Sequence, residues 1–530
     1  MDTTEFYFRQ NVIVEPLFSQ WYAWWYLISP ATASLYVANQ HLKIMQSFVA
    51  QPRVHVAAMK NPELLGGPYI NYGLDRVNDI RQLLDKTTQQ QAELLKMAAA
   101  VKALEATLAA HPQGMSLEEI YPKVPEPLRG YVELSYDVRN QPSFRFIEGL
   151  LYRSPYYNEA AQSLLLGRID QDERPFIFST PRLESPASLH VNIPFRHPSV
   201  DELMGLRDRP ARFGHIQEML GIPDEQADLL RSFLIEQPPR PAPARYDMPG
   251  VRIRYFGHAC VLLESKDTTI LTDPVLSYPY PTDLPRYTYE DLPARIDYVV
   301  ITHTHPDHLM FETLLQLRPR IGAILVPKNN GSIQDPSIRL GLLRTGFKNV
   351  IEVEELDEIE VAGGSITGLP FLGEHGDLGI RSKLAFLVRL SGKSAVIAAD
   401  SNALEPMLYS RIRDAIGPVD ALFLGMECDG APMSWSYGPL LSAQLNRKMD
   451  QSRRLSGSNA ERASEIVKLL SPKQVYIYAM GQEPWLTHVM ALKYTEASPQ
   501  MVESNKLIEH CRAAGLLAER PYCQKELILS

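Results

Sequence analysis

The stretch YVVITHTHPDH, running from Tyr298 to His308, decides how this chain is read. Its first half is a short apolar β-branched run of the buried-strand type. Its second half places four potential metal ligands, His303, His305, Asp307 and His308, within six residues, directly where that strand must end. Two imidazoles one residue apart at a strand-to-turn junction can face one metal ion, and Asp307 and His308, past the turn, are free to face a second. Pro306 helps set the turn by locking its own φ. Imidazole nitrogen together with carboxylate oxygen suits zinc, iron or manganese and excludes calcium, which takes oxygen alone. Unpaired histidines and an acid are costly at a buried strand end, so a fortuitous His-rich turn is a poor account of them. The amphipathic run Phe311 to Leu317 follows at once and reads as a helix.

The neighbouring sequence keeps the same grammar. Val251 to Glu264 reads as a strand pair broken at Gly257, and Thr269 to Thr272 as a strand leading into a turn at Asp273 and Pro274. Further buried strands are predicted at Ala323 to Val326, Leu384 to Leu390, Ala395 to Ala399, Ala421 to Leu424 and Val475 to Tyr478, with helices between several of them. Ser458 followed by Glu461 has the form of a capping box ahead of Ile466, Val467, Leu469 and Leu470.

Upstream lies a proline-rich seam, EQPPRPAPARYDMPG, from Glu236 to Gly250, which reads as an extended connector. With 530 residues the chain exceeds what one core supports, so two domains are expected, spanning 1–240 and 250–530. The first has mixed α+β signals. It holds an aromatic cluster at Trp21, Tyr22, Trp24, Trp25 and Tyr26, expected as core, and a long helical pattern from Ile80 to Leu108. A strand-like piece spans Pro175 to Ser179.

Composition narrows the function classes. A hydrophobic share of 45% and a charged share of 22% describe an ordinary globular protein, and a net charge of -9 without a basic stripe leaves no footprint for nucleic acid. The four cysteines are scattered without paired spacing, against both a disulfide framework and a cysteine-based metal site, which fits a reducing cytoplasm. Neither a signal peptide nor a membrane span is predicted, the stretch Trp21 to Val37 being broken by Ser29, Pro30 and Thr32.

The HxHxDH pattern resembles the signature of the metallo-β-lactamase superfamily, which implies an αββα sandwich for the second domain. That resemblance supplies further expectations by position. Asp273 would orient a ligating histidine from behind, and His258 reads as a structural or pocket-wall residue rather than a ligand. Asp400, closing the strand Ala395 to Ala399, would bridge two metals through its two oxygens. His488 is the best remaining imidazole for the last position, with His510 as its competitor. Hydrolytic members usually place a histidine in the third motif, whereas this chain offers Gly373-Glu374-His375-Gly376-Asp377, so either Glu374 or His375 could be the ligand. With Glu374, one metal would have His303, His305, Glu374 and Asp400, and the other Asp307, His308, His488 and Asp400. So carboxylate-rich a set favours iron or manganese over zinc and points to redox chemistry carried by Glu374 and Asp400.

Taken whole, the chain resembles the diiron β-hydroxylases of nonribosomal peptide pathways. The resemblance rests on its length, the WYAWWYLISPAT segment, THTHPDH, the third-motif glutamate and the aspartate after AVIAA. It implies a non-haem monooxygenase with two iron ions, oxo- or hydroxo-bridged, and O₂ as co-substrate. The substrate would be an aminoacyl thioester on a synthetase carrier domain, with an external electron donor and a homodimer. The alternative is a dinuclear zinc hydrolase, a lactonase, phosphodiesterase or thioesterase, since one metal motif serves both chemistries.

Overall fold

The computed structural model describes residues 4–530. Its C-terminal domain is built on two seven-stranded mixed sheets. The first runs in the order Val350–Val353, Ile321–Pro327, Ile296–Val300, Thr269–Thr272, Val261–Glu264, Val251–Tyr255 and Lys525–Leu529. The second runs Glu358–Val361, Gly364–Leu369, Ala385–Leu390, Lys393–Ile397, Ala421–Gly425, Gln474–Tyr478 and Leu517–Glu519.

Alternate residues of these strands enter different cores, which is why the runs are apolar throughout rather than at every second position. Ile270, Val300, Leu325, Phe386, Ile397, Phe423 and Tyr478 fill the layer between the sheets. Val396, Leu422, Leu424, Val475 and Ile477 face the opposite way, under the helices Met407–Ile416, Ala460–Leu470 and Pro499–Ala513. Leu271, Val299, Ile324 and Val326 turn outward from the first sheet into a cluster that continues through the N-terminal domain to Phe6 and Phe8. The result is the αββα sandwich, with a separate mixed α+β domain packed on one face.

That N-terminal domain carries an antiparallel sheet in the order Trp21–Tyr22, Val12–Phe18, Gln162–Arg168 and Ser188–Val191. The helices Pro30–Tyr36, Leu42–Ala50, Val77–Gln90 and Ala92–Ala110 surround it. The aromatic cluster is core as expected: Trp21 stacks on His41 at 3.9 Å between ring centroids, and Trp24 meets Tyr36 and Phe178 edge to face. Trp25 lies against Gly341 of the other domain so closely that a Cβ there would sit 2.5 Å from its ring.

Two local expectations are corrected. Pro175 to Ser179 is buried coil and turn rather than strand, because Thr180 and Ser179 donate their N–H groups back to the carbonyl of Phe176 and Pro175 has none to give. The helix Ala460–Leu470 is capped by Asn459, whose side chain accepts from the N–H of Arg462, while the Ser458 hydroxyl donates to the carbonyl of Ser401. The helix Phe311–Leu317 is buried on its polar side as well. There Glu312 meets Arg174 of the N-terminal domain, and Arg174 also pairs with Glu15, itself held by Arg182. Among the described residues no helix is long and apolar enough to cross a membrane.

Candidate metal centre

Every side chain of the centre stands just past the C-terminal end of a strand. His258 follows Val251–Tyr255, Asp273 follows Thr269–Thr272, and His303 to His308 follow Ile296–Val300. Glu374 lies beyond Gly364–Leu369 and Asp400 beyond Lys393–Ile397. The loops are tightly specified. His258, Asp273, Glu374 and Ala399 all have positive φ, at 51°, 35°, 73° and 48°, a conformation that costs non-glycine residues energy and clusters at functional sites. At Gly425 a Cβ would stand 2.7 Å from Oδ1 of Asp400, so that position must be bare for the carboxylate to sit where it does.

The hydrogen bonds set which nitrogen of each imidazole is free. The Thr302 hydroxyl donates to Oδ2 of Asp273 at 2.7 Å and so accepts from Nδ1 of His303 at 3.0 Å, leaving Nε2 of His303 bare. Nδ1 of His308 donates to the same Asp273 oxygen at 2.8 Å, and its Nε2 has no hydrogen-bond partner. Asp273 therefore orients from behind, as its position implied, and it orients two histidines at once. His305 is turned the other way: its Nε2 meets the hydroxyl of Tyr437 at 2.8 Å, and its Nδ1 faces Oε1 of Glu374 at 2.8 Å and Nε2 of His303 at 3.2 Å.

Two groups of ligand atoms result. Those of His303, His305, Glu374 and Asp400 lie within 4.8 Å of one another, as do those of His258, Asp307 and His308. Asp400 joins the groups, its Oδ2 standing 3.1 Å from Nε2 of His308 and 3.5 Å from Nε2 of His303. His258 belongs to the second group by distance but not by chemistry. Its Nδ1 accepts the N–H of Gly481 at 3.0 Å, so the neutral ring carries its proton on Nε2 and donates it to Oδ2 of Asp307 at 3.0 Å. It is a support for Asp307, in line with the structural role expected of it.

Of the two third-motif candidates, Glu374 faces the cluster. His375 is in neither group, and its Nδ1 meets the Tyr437 hydroxyl at 2.8 Å. His488, expected in the last position, is in neither group. Its ring lies edge to face with Tyr22 at 6.2 Å, beside Arg174 and Trp485 in the domain interface. The loop after Gln474–Tyr478 turns its early residues to the site through Gly481, and by Thr487–Met490 the chain has become a short helix that points the imidazole away. The competitor His510 is on the exposed side of Pro499–Ala513.

The field at the site fits a cation. Burial holds His303 far below the usual imidazole range and lowers His305 to about 4, the neutral form that binds metal. Burial also opposes charge on His308, but Asp400, Asp307 and Asp273 outweigh it and hold its pKa well above the ordinary value. Burial, and next the carboxylate of Asp400, push Glu374 far up. Oε2 of Glu374, Oδ1 of Asp400 and Nε2 of His308 are buried without partners. Such groups are expensive unless paired, and a hard cation would pair all three. The donor set is nitrogen and oxygen only, the four buried cysteines being free thiols.

Sequence reasoning missed two residues of this region. Tyr437 ends the short helix Met433–Tyr437 and carries no metal-ligand signal of its own, yet it touches both His305 and His375. Glu427 lies two residues past the strand Ala421–Gly425, the same kind of place as Asp400, and that signal could have found it. Together with His305, Asp307 and Glu374 it lines a cavity of about 290 Å³, which shares Gly66, Pro432 and Trp435 with the lining of a groove of about 990 Å³.

Comparison with known proteins bears on the whole arrangement. Residues 7–238 match the family described as the diiron non-heme beta-hydroxylase N-terminal domain, and residues 268–477 match the beta-lactamase superfamily domain. A relative from Streptomyces venezuelae, 4-amino-L-phenylalanyl-(CmlP peptidyl-carrier-protein) 3-hydroxylase, is 41% identical over 536 aligned positions, covering 98% of this chain and 99% of its own. The crystal structure of CmlA, a diiron beta-hydroxylase from the same organism, superposes with a TM-score of 0.93 at 39% identity over 100% of both chains.

Proposed function

The chain belongs to the diiron non-heme β-hydroxylases, and from that premise we propose that it uses O₂ to hydroxylate the β-carbon of an amino acid held as a thioester on a peptidyl carrier domain. The zinc hydrolase alternative drops out, because the likeness to a hydroxylase runs through both domains and not only through the shared sandwich.

The observation that carries the reading is the position of Asp400, one carboxylate oxygen of which serves the imidazoles of both His303 and His308. In this assignment His303, His305, Glu374 and Asp400 would hold one iron, and Asp307, His308 and Asp400 the other, with no part for His488. When bound, the iron pair supplies the electron transfers by which O₂ is reduced and a substrate C–H bond oxidised. The protein's own contributions are separate. Asp273, Thr302 and Tyr437 hold the imidazoles in the tautomers that leave a lone pair facing inward. The buried walls exclude bulk water, and Glu374 offers a second oxygen with no competing partner.

A tethered substrate needs a route as well as a pocket. The groove of about 990 Å³ is the candidate route, because it shares Trp435 with the smaller cavity against His305, Asp307 and Glu374. Trp435 is fixed there by the bond from its Nε1 to the carbonyl of Gly66, 3.1 Å long.

We place the domain boundary in the proline-rich connector, with 1–240 framing the active site and 250–530 holding the metals. A homodimer, a cytoplasmic location and an external protein donor of electrons complete the reading. Protein purified without added metal should carry about two irons per chain. After reduction it should add one oxygen atom to at least one of a set of carrier domains charged with different L-amino acids, read by intact mass. Zinc-loaded protein, or no oxygen gain with any charged carrier, overturns it.

A further inference from the structure

Glu427 has a carboxylate oxygen with nothing to hold. Its Oε1 is buried and without a hydrogen-bond partner, and it lines the cavity bounded by His305, Asp307 and Glu374 while belonging to neither group of ligand atoms. Tyr494 lines the same cavity, and its hydroxyl is likewise buried and unpaired. Buried polar atoms of folded proteins are almost always satisfied, and an acid left without a partner is an expensive exception, so two unpaired polar atoms on residues that line one cavity point to a ligand that completes the structure.

The charges around the cavity say which ligand. Asp307, Glu374 and Asp400 are its acidic neighbours, and they would be matched by metal. Arg454 is the cation in the wall, but its guanidinium is committed to the carbonyls of Asp429 and Gly430 and to the side chain of Gln451. Lys383 donates to the carbonyl of Gly373 on the far side of Glu374. Glu427 thus lacks a counter-charge, and the cavity has space for a small cation bearing hydrogen-bond donors.

An aminoacyl thioester carries one such group. Its carboxyl carbon is consumed by the tether, and its α-amino group, protonated at neutral pH, remains free. We propose that Glu427 receives the α-ammonium of the carrier-bound aminoacyl group, with the Tyr494 hydroxyl donating to the thioester carbonyl beside it. This rests on the function proposed above and adds how the substrate is held. The ammonium and the β-carbon are attached to the same α-carbon. Fixing the ammonium on Glu427 while the tether fixes the carbonyl leaves the β-carbon few positions, which is how one C–H bond is chosen over the others.

The test compares two acyl groups on one carrier domain: an L-amino acid that the wild type hydroxylates, and the same acid without its α-amino group. Fluorescence anisotropy should show the wild-type iron-loaded enzyme binding the aminoacyl carrier roughly 10–100-fold tighter than the des-amino one, the range of a charge-assisted hydrogen bond. Glu427→Gln should erase that preference through the aminoacyl carrier, raising its KM and leaving the des-amino carrier within about twofold, with iron content unchanged. Glu427→Asp should restore part of the preference, and Tyr494→Phe should weaken both carriers alike. A wild type that does not discriminate overturns the proposal. So does a Glu427→Gln variant that loses iron, or one that loses both carriers equally. If the wild type hydroxylates no carrier at all the proposed function falls instead, while the binding comparison, run with 4-amino-L-phenylalanyl and 3-(4-aminophenyl)propanoyl carriers, still decides the role of Glu427.

Discussion

The hydroxyl of Tyr437 stands 2.8 Å from Nε2 of His305, and through this contact a helix far along the chain decides which nitrogen of His305 looks inward. Tyr437 has one proton to give. With that proton on the bond to Nδ1 of His375, the oxygen accepts from Nε2 of His305 and Nδ1 of His305 is bare toward Glu374, the arrangement a metal at that nitrogen requires.

Tyr437→Phe removes that restraint and leaves buried nitrogens without partners. Iron affinity should fall roughly 10–100-fold, as for other residues that orient a ligand histidine, measured by chelator competition. Unchanged affinity would show that His305 is positioned by Glu374 alone.

His308→Ala and His488→Ala should behave oppositely. The first deletes the nitrogen beside Asp400 and should leave close to one iron per chain. The second should keep the full complement and cost about 1–3 kcal/mol in stability, because a buried ring is lost from the domain interface. Metal analysis and denaturant titration of both variants read this directly, and loss of iron from His488→Ala would reinstate it as a ligand.

Glu374→His restores the ligand type that hydrolytic relatives of the fold use. In cells supplied with both metals the variant should take up zinc in place of iron and give no hydroxylated product, while keeping its circular dichroism. Retained iron and turnover would mean that the carboxylate is not what selects the metal.

Arg174 ties the two domains through Glu15 and Glu312, with its side chain 7% exposed. Arg174→Met leaves Glu312 buried without its cation, and should cost about 3–5 kcal/mol in unfolding free energy. A replacement that changes stability by under about 1 kcal/mol would show that the cluster repacks.

Glu148 of the N-terminal domain accepts from the Ser337 N–H and from Asn329 across the same interface, and burial raises its pKa from 4.5 to about 7. The folded state therefore binds a proton that the unfolded state has already released. The contribution is complete below pH 4.5 and is lost as the pH rises toward about 7. Glu148→Gln should flatten the fall in stability across that window, seen as a smaller change in melting temperature between pH 5 and about 7.5 than in the wild type. An equal slope in both proteins would place the proton elsewhere.

Much of this architecture is legible in one dimension. The near-continuous apolar runs at Tyr298, Ala323, Ala395, Ala421 and Val475 are what strands covered on both faces must look like, and each forms where its pattern puts it. His303, His305, Asp307 and His308 are legible because one strand end and one turn carry all four, so local geometry settles their proximity. Asp400 is legible for a related reason: a carboxylate directly after a buried strand opens onto the same end of the sheet.

What was not legible depended on chain paths that no local pattern records. His488 and Gly481 lie in one loop, and only the packing of the helix Thr487–Met490 under the N-terminal domain sends the imidazole to Tyr22 while the Gly481 amide goes to His258. The choice of Glu374 over its neighbour His375 was likewise open, since the two are adjacent and both could bind. In the fold Glu374 joins the group of His303, His305 and Asp400, while Nδ1 of His375 meets the hydroxyl of Tyr437, 62 positions away. The sequence determined the kind of chemistry, because ligand type and strand-end spacing are local. Tertiary structure decided which orphaned atoms face the cavity, because burial and hydrogen bonding are properties of neighbours in space.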